Sequence, residues 1–312
     1  LDGKFQDPIK LQGVDALLEL KGPSLADIFY LTAIPLPPTP EYTLEGQLTK
    51  SGEEWAYRDF KGRVGRSDLA GNLAYDLSGE RGFLTADLHS DVLAAADLGG
   101  FIGLDVGADE QADTESTKVI PDVPLARERL LATDLDVRLN AKKIEAPNLP
   151  FKGLDVRFYL RDGLLKLDPL NLVLADGRIE GEIDIDANPQ IPPMKMNLQL
   201  RKLNLSQFFE GTRFEATTRG LFGGKVSLAG QGESLADVLA TSNGDLTLIM
   251  SGGEISLLLI EAADLDIGQA LPLYFGKDKS TRIHCGVMDF RVTDGMLASD
   301  VVALDTSDSL LV

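Results

Sequence analysis

The sequence predicts a mainly β chain with a few short helices, its strands joined in a sheet that is apolar on one side. Three observations carry that expectation. The first is alternation: in "FKGLDVRFYLRDG", residues 151–163, Leu154, Val156, Phe158 and Leu160 are apolar, while Asp155, Arg157, Tyr159 and Arg161 between them are not. A period of two sends successive side chains to opposite faces of a sheet. The second is turn chemistry beside the alternating runs, at Asp162-Gly163, Asp176-Gly177, Asn243-Gly244 and Asp294-Gly295; such pairs supply the positive φ of tight hairpins. The third is a shortage of helical segments, too few to cover so many strands.

Along the chain, "GPSLADIFYLTAI" predicts a helix opened by Ser24 as N-cap after Pro23. The proline-rich "AIPLPPTPEY" then breaks the pattern, because proline cannot donate to a ladder. "LEGQLT" reads as a strand, less cleanly than those that follow. Residues 106–124, "VGADEQADTESTKVIPDVP", are acidic and aperiodic and predict a flexible boundary. On that basis residues 1–105 form a first β-rich module and residues 125–312 a second, with 106–124 between them. In the second module "TDLDVRLNAKKIE" alternates through Leu135, Val137 and Leu139, and "GRIEGEIDID" through Ile179, Ile183 and Ile185. "MKMNLQL", "GDLTLIM" and "MDFRV" repeat the design. A turn of helix is expected at "LSQFFEG", a capped helix at "GESLADVLATSNG", and a third through "EISLLLIEAADLDIGQALPLYF". The Ser-Leu-Ala-Asp opening shared by Ser24 and Ser234 hints at two related units.

The totals bound the function. With 312 residues, 44% of them hydrophobic, there is ample material for a core. The 49 acidic and 30 basic residues give a formal charge of -19, which repels phosphate backbones, so nucleic acid is not an expected partner. Cys285 is the one cysteine and cannot form an internal disulfide. No run of about 18 apolar residues is present to span a membrane. The start at Leu1 and the apolar end "DTSDSLLV" lead to the expectation of a piece cut from a longer protein, with an anchor upstream.

Candidate chemistry is sparse. His89 and His284 have no partner at metal-ligand spacing. His284 and Cys285 are adjacent, and adjacent strand residues point to opposite faces. Of the carboxylate pairs Asp134/Asp136, Asp184/Asp186 and Asp264/Asp266, the first two fall on the wet face of alternating strands and read as solvated charge. "GRVGRSDLAG" and "GLFGGKVS" lack the glycine spacing of nucleotide loops. The expectation is a protein that is not an enzyme and carries no metal or organic cofactor.

Several ordered blocks carry a family resemblance: "LKGPSLADIFYLTAIPLPPTPEYTLEGQL", "FKGRVGRSDLAGNLAYDLSGERGFLTADLHSDVLAAADLGGFIGL", "LPFKGLDVRFYLRDGLLKLDPLNLVLADGRIEGEIDID", "GESLADVLATSNGDLTLIMSGGEISLLLIEAADLDIGQAL" and "IHCGVMDFRVTDGMLASDVVALDT". Together they resemble the bacterial AsmA family over nearly the whole chain, most strongly at "GRVGRSDLAG" and "IHCGVMDFRVTDG". The resemblance implies a long, curved, mostly antiparallel sheet forming an open hydrophobic groove. It also implies a periplasmic location in Gram-negative bacteria, held to the inner membrane by an N-terminal helix. Larger members of the family are regarded as carrying phospholipid towards the outer membrane.

Physics agrees with an open groove without requiring it. A sheet with one apolar face must cover it with another sheet, with helices or with something that is not protein. Acyl chains suit an aliphatic wall because they demand no hydrogen bonds. The expected wall comprises Leu135, Val137 and Leu139; Leu154, Val156, Phe158 and Leu160; Leu165, Leu167, Leu172 and Leu174; Ile183 and Ile185; Leu198 and Leu200; Leu246 and Leu248; Phe290 and Val292. The expected function is to shield phospholipid or another acyl-chain lipid during inner-to-outer membrane transfer, with an outer-membrane protein as a further partner. Two alternatives stay open: a closed β-sandwich scaffold or assembly factor without lipid, and a carbohydrate-active enzyme using exposed carboxylates, which would need two acids with split pKa values.

Overall fold

Alternating apolar residues need a shared face, and hairpin turns give neighbouring strands one. The computed structural model describes residues 2–4, 13–28, 38–98, 125, 127–146, 150–256, 280–307 and 310–311. A single curved, open sheet of sixteen strands takes up most of them. Its first half runs β1 (Asp2–Lys4), β2 (Asp15–Gly22), β3 (Tyr42–Ser51), β4 (Glu54–Val64), β5 (Ser67–Asp76) and β6 (Phe83–Ser90). After the two-residue β7 (Leu93–Ala94) and helix α1 (Arg127–Ala132), the sheet resumes with β8 (Asp134–Ala141). β6 and β8 pair in parallel, Phe83 beside Asp134 and Ser90 beside Ala141, so the two expected modules contribute to one ladder.

The two-residue β9 (Ile144–Glu145) pairs with β7 away from the main sheet. β10 (Phe151–Arg161), β11 (Leu164–Leu174), β12 (Gly177–Asp186), β13 (Pro193–Asn204) and β14 (Arg219–Gln231) follow in antiparallel order. Helix α2 (Leu235–Ala240) leads into β15 (Asn243–Ser256), β16 (Ser280–Thr293), β17 (Met296–Thr306) and the two-residue β18 (Leu310–Leu311).

Turn chemistry accounts for two of the four expected hairpins directly. Asp162-Gly163 and Asp294-Gly295 are two-residue loops with positive φ at both positions. The other two differ. The β11–β12 loop is Ala175-Asp176, with φ of 47° and 59°, and Gly177 is already the first residue of β12. Asn243-Gly244 is no hairpin: both residues lie in β15 opposite Ala229 and Leu228.

Among the described residues the helical elements are short. Ser24 precedes a 3₁₀ turn, Leu25–Ile28, the rest of that expected helix lying outside the described residues, and Leu205–Phe209 is another, capped by Asn204. α2 is capped by Ser234, whose Oγ accepts from Asp237 N at 3.1 Å. The acidic stretch 106–124 and residues 257–275 of the third expected helix lie outside the described residues, whereas Glu254 to Ser256 belong to β15.

The real internal repeat is not the Ser-Leu-Ala-Asp pair, whose two copies sit at opposite rims of the sheet. It is a three-strand unit recurring 110 residues later, the difference between Gly71 and Gly181. β4–β5 carries a bulge between Tyr57 and Phe60, and β11–β12 one between Leu167 and Leu170. Leu77 N donates to Glu53 O, and Ala187 N to Gly163 O. Ser78 N donates to Asp76 Oδ1, and Asn188 N to Asp186 Oδ1. A 3₁₀ turn follows each unit, Ala95–Leu98 and Leu205–Phe209.

Gly71 and Gly181 also show how the strands come so close. Each faces a leucine, Leu88 and Leu198, across the next strand. A methyl on Gly71 would overlap the carbonyl oxygen of Asp87, and one on Gly181 that of Asn197. Only glycine lets the backbones approach this far.

Candidate functional site

The register places all nineteen expected wall residues on one face. Leu135, Val137 and Leu139 stand opposite Leu160, Phe158 and Val156. Leu160 and Phe158 stand opposite Leu165 and Leu167, which face Ile185 and Ile183; Leu154 faces Leu172. Leu198 and Leu200 lie beside Val226 and Gly224, which lie beside Leu246 and Leu248. Phe290 is opposite Leu246, and Val292 opposite Gly244. Leu174, opposite Phe151 and Gly177, completes the set at one strand end.

This face is longer than the sequence reading made it. Leu84 and Leu88 sit beside Leu135 and Leu139 across the parallel junction. Tyr57, Leu73, Leu48 and Leu44 carry the same side on through β3 to β5. Met194, Met196 and Leu228 fill gaps in the second half. The methionines and Leu228 alternate with polar residues in "MKMNLQL" and "KVSLAG", so the signal that found their neighbours could have found them.

Among the described residues, short elements cover this face along its two rims. At one rim, Leu235, Val238 and Leu239 of α2, with Leu130 of α1, pack on Ile185, Met194 and Met196. At the other, Leu25 and Ile28 pack on Tyr42, Leu44, Tyr57, Phe60 and Val64. Leu93 and Ile144 of the β7–β9 pair pack on Leu139, Ala141 and Val156 there. Leu174, Ala175 and Leu203 form a further cluster on that rim with Phe222. The outcome for the expected wall is divided. Leu139, Val156, Leu160, Leu174, Ile185 and Val292 are buried by protein, and the other thirteen are half-buried. Leu167, Leu172, Ile183, Leu198, Leu200, Val226 and Leu248 form a stripe across the strands between the two covered rims.

α1 escaped the sequence reading. Its six residues, "RERLLA", are too short to show a helical period, yet through Leu130 the helix covers part of one rim.

The opposite face is polar and knitted by cross-strand ion pairs. Arg157 donates to both oxygens of Asp136 at 2.7 and 2.6 Å, and Lys166 Nζ lies 2.9 Å from Glu182. Arg201 meets Glu180 at 3.0 Å, and Arg219 meets Glu254 at 2.7 Å. Hydrogen bonds from Arg157, Lys166 and Arg219 hold the carboxyls of Asp136, Glu182 and Glu254 below their ordinary pKa. On the apolar face, burial pushes the Tyr57 hydroxyl up to about 12, and it donates to Leu18 O at 2.9 Å.

Of the sequence-selected acids, Asp134 departs from the solvated reading: it is buried, and its Oδ1 accepts from Asp162 N at 3.0 Å, which ties β8 to the β10–β11 turn. His89 is exposed, and His284 Nδ1 lies 3.3 Å from Asp305. Among the described residues, no group of three or more His, Cys, Asp or Glu could hold a metal ion, and no helix is long and apolar enough to cross a membrane. Asp264 and Asp266 lie outside the described residues.

"GRVGRSDLAG" turns out to be a clasp. Asp97 Oδ2, almost fully buried, accepts from Arg66 N, Ser67 N and Ser67 Oγ at 2.8, 2.8 and 2.7 Å. Ser67 Oγ accepts in turn from Ala94 N at 2.9 Å. Asp68 accepts from Val92 N at 2.6 Å and Asp91 N at 2.9 Å. The β4–β5 turn thereby holds β7 and the 3₁₀ turn after it over the rim. At the equivalent place in the second unit, Gln207 donates to Asp176.

The model of the AsmA family matches residues 1–301. The AsmA family protein YhjG of Escherichia coli (strain K12) is 31% identical over 328 aligned residues, covering 99% of this chain and 48% of that protein. The chain thus spans about half the length of that relative. No solved structure matches.

Proposed function

The chain belongs to the AsmA family, and from that premise we propose that it holds acyl chains of phospholipid, or of another acyl-chain lipid, against the uncovered stripe. Family membership points to the bacterial envelope and to outer-membrane assembly or lipid transport. The finer reading is a periplasmic shield for lipid tails moving from the inner to the outer membrane, in a protein attached to the inner membrane and working with an outer-membrane partner.

One observation carries it: an apolar face continuous from β2 to β17 whose middle is left half-buried and without a covering element among the described residues. With neighbouring strands about 4.8 Å apart, the fourteen strands concerned extend roughly 60 Å. Exposed apolar area on that scale is rare on a soluble monomer unless it binds something. Tails suit the wall because each buried methylene contributes about 0.8 kcal/mol and none needs a hydrogen bond. No charge projects from the face between Leu135 and Leu139, or between Leu154 and Leu160. A short slide along the stripe therefore exchanges one aliphatic contact for another. The rims leave a headgroup in water, which implies weak headgroup selectivity.

The test is mass spectrometry of an organic extract from chain purified out of bacterial cells without detergent. Copurifying phospholipid near one or more molecules per chain is expected. An extract free of acyl lipid, from protein whose circular dichroism is that of a folded sheet, would sink the reading and favour a scaffold.

A further inference from the structure

We propose that the stacked pair Tyr57–Phe60, with the 3₁₀ turn Leu25–Ile28 packed on it, is the stop that ends the acyl stripe, an inference that rests on the lipid reading and narrows it. The first repeat unit is closed by its own side chains, and acyl chains are held by the second.

The repeat sets the two units side by side, position for position. With the offset that relates Gly71 to Gly181, β3, β4 and β5 correspond to β10, β11 and β12. Leu44, Tyr57 and Phe60 therefore occupy the places of Leu154, Leu167 and Leu170, on the same apolar face and around the same bulge. The first three are buried, with 6%, 7% and 3% of their surface exposed, whereas the second three are half-buried. One backbone plan thus exists in a covered copy and a half-covered one.

Two local causes close the first copy. Tyr57 and Phe60 stack with ring centroids 5.3 Å apart and planes 8° from parallel, and Tyr57 reaches over β3 to donate its hydroxyl to Leu18 O of β2 at 2.9 Å. The room comes from Gly46, which lies in β3 opposite Leu18; a methyl there would stand 2.6 Å from Phe60 Cβ. In the second unit the equivalent of Gly46 is Val156, a full side chain, and the equivalents of the rings are leucines. The second cause is the cap. Leu25 and Ile28 pack on the pair, while their equivalents, Leu135 and Arg138, belong to β8, beside β10 in the sheet itself, and so cannot lie over it.

An acyl chain moving from the second unit towards the first follows the register neighbours Leu167, Phe158, Val137, Ala86 and Leu73, and the next in line is Tyr57. To continue, it must displace two packed rings and the hydrogen bond to Leu18 O. Burial of a methylene is as favourable on the second unit, where nothing has to be displaced. Rings of this size bury as much apolar surface as a stretch of hydrocarbon would, so the first unit is filled by protein where the second has room for a tail.

The full chain is incubated with vesicles of a phosphatidylcholine that carries a diazirine midway along one acyl chain, separated from them and irradiated, and the labelled peptides are mapped by mass spectrometry. Label on residues 151–186 is expected to exceed that on residues 42–76 about fifteenfold, the factor that two buried methylenes supply. Tyr57→Leu with Phe60→Leu gives the first unit the residues of the second and is expected to raise label on 42–76 about fourfold, the factor of one methylene. The reverse exchange, Leu167→Tyr with Leu170→Phe, is expected to lower label on 151–186 by a similar factor; both variants are checked for unchanged circular dichroism. Label spread evenly over the two units of the parent chain, or a distribution that neither folded exchange moves, would overturn the stop and leave lipid holding intact. Absence of label from both units would defeat the lipid reading itself, and the stop with it.

Discussion

Replacing Gly181 by alanine tests how the strands are brought together. At an ordinary strand position the change stabilises, by about 0.4–1 kcal/mol, because it removes freedom from the unfolded chain. Here the added methyl would overlap Asn197 O and stand 2.9 Å from Leu198 Cα and 3.0 Å from the Asn197 carbonyl carbon. Ordinary contact begins near 3.4 Å, so β13 must retreat by at least 0.5 Å, the difference from 2.9 Å, and further at the oxygen. The obstacle is backbone, which cannot swing aside as a side chain would. Overpacking of this kind costs about 1–3 kcal/mol, and weakening of the ladder bonds beside Gly181 adds about 1 kcal/mol. After the unfolded-state gain is subtracted, Gly181→Ala should destabilise by about 1–3 kcal/mol. Urea unfolding followed by circular dichroism, compared at equal m-value, reads that number. A neutral or stabilised variant would refute the close approach of β12 and β13. Gly71→Ala should cost more, since its φ of +150° is also unfavourable to alanine.

Three further outcomes are expected. Phe158→Asp or Leu172→Asp should abolish lipid recovery from a folded chain, whereas Leu160→Asp, at a side chain 1% exposed, should prevent folding; lipid retained at wild-type level in Leu172→Asp would count against the stripe. Asp97→Ala should lower stability by about 2–4 kcal/mol, because it leaves Arg66 N, Ser67 N and Ser67 Oγ without their buried acceptor; a calorimetric change within 0.5 kcal/mol, about the range of an indifferent surface site, would dismiss the clasp. Arg157 holds the folded pKa of Asp136 below its unfolded value. The stability it contributes is therefore complete above about pH 3.9 and lost as the pH falls through the folded value. Asp136→Asn should flatten the acid limb of the stability curve, and identical slopes for variant and parent would exclude that contribution.

Much of the site was legible because its signal is local. Leu154, Val156, Phe158 and Leu160 share a face for the reason that any strand alternates, and no tertiary knowledge is needed to see it. The pairs at Asp162-Gly163 and Asp294-Gly295 make hairpins because both loop positions demand positive φ. The same chemistry misled at Asn243-Gly244, where the pair lies within β15 opposite β14. Likewise Asp134 has the spacing of a wet-face carboxylate, but Arg81, Arg161 and the Asp162 amide enclose it. The repeat was hidden because what recurs is a backbone plan. "GNLAYD" and "GEIDID" share a glycine, an aspartate and a period, and little else.

Alone, the sequence determined that the chain makes strands, which side of each is oily and where two of the tight turns fall, since these depend on residues within a few positions of one another. Only the tertiary structure decided that β6 and β8 join in parallel and that the short elements among the described residues cover the rims and leave the stripe between them half-buried. It also decided that Leu25 and Ile28 pack on Tyr57 and Phe60. Those outcomes depend on which strands become neighbours, and adjacency in space is set by packing between residues far apart in the chain.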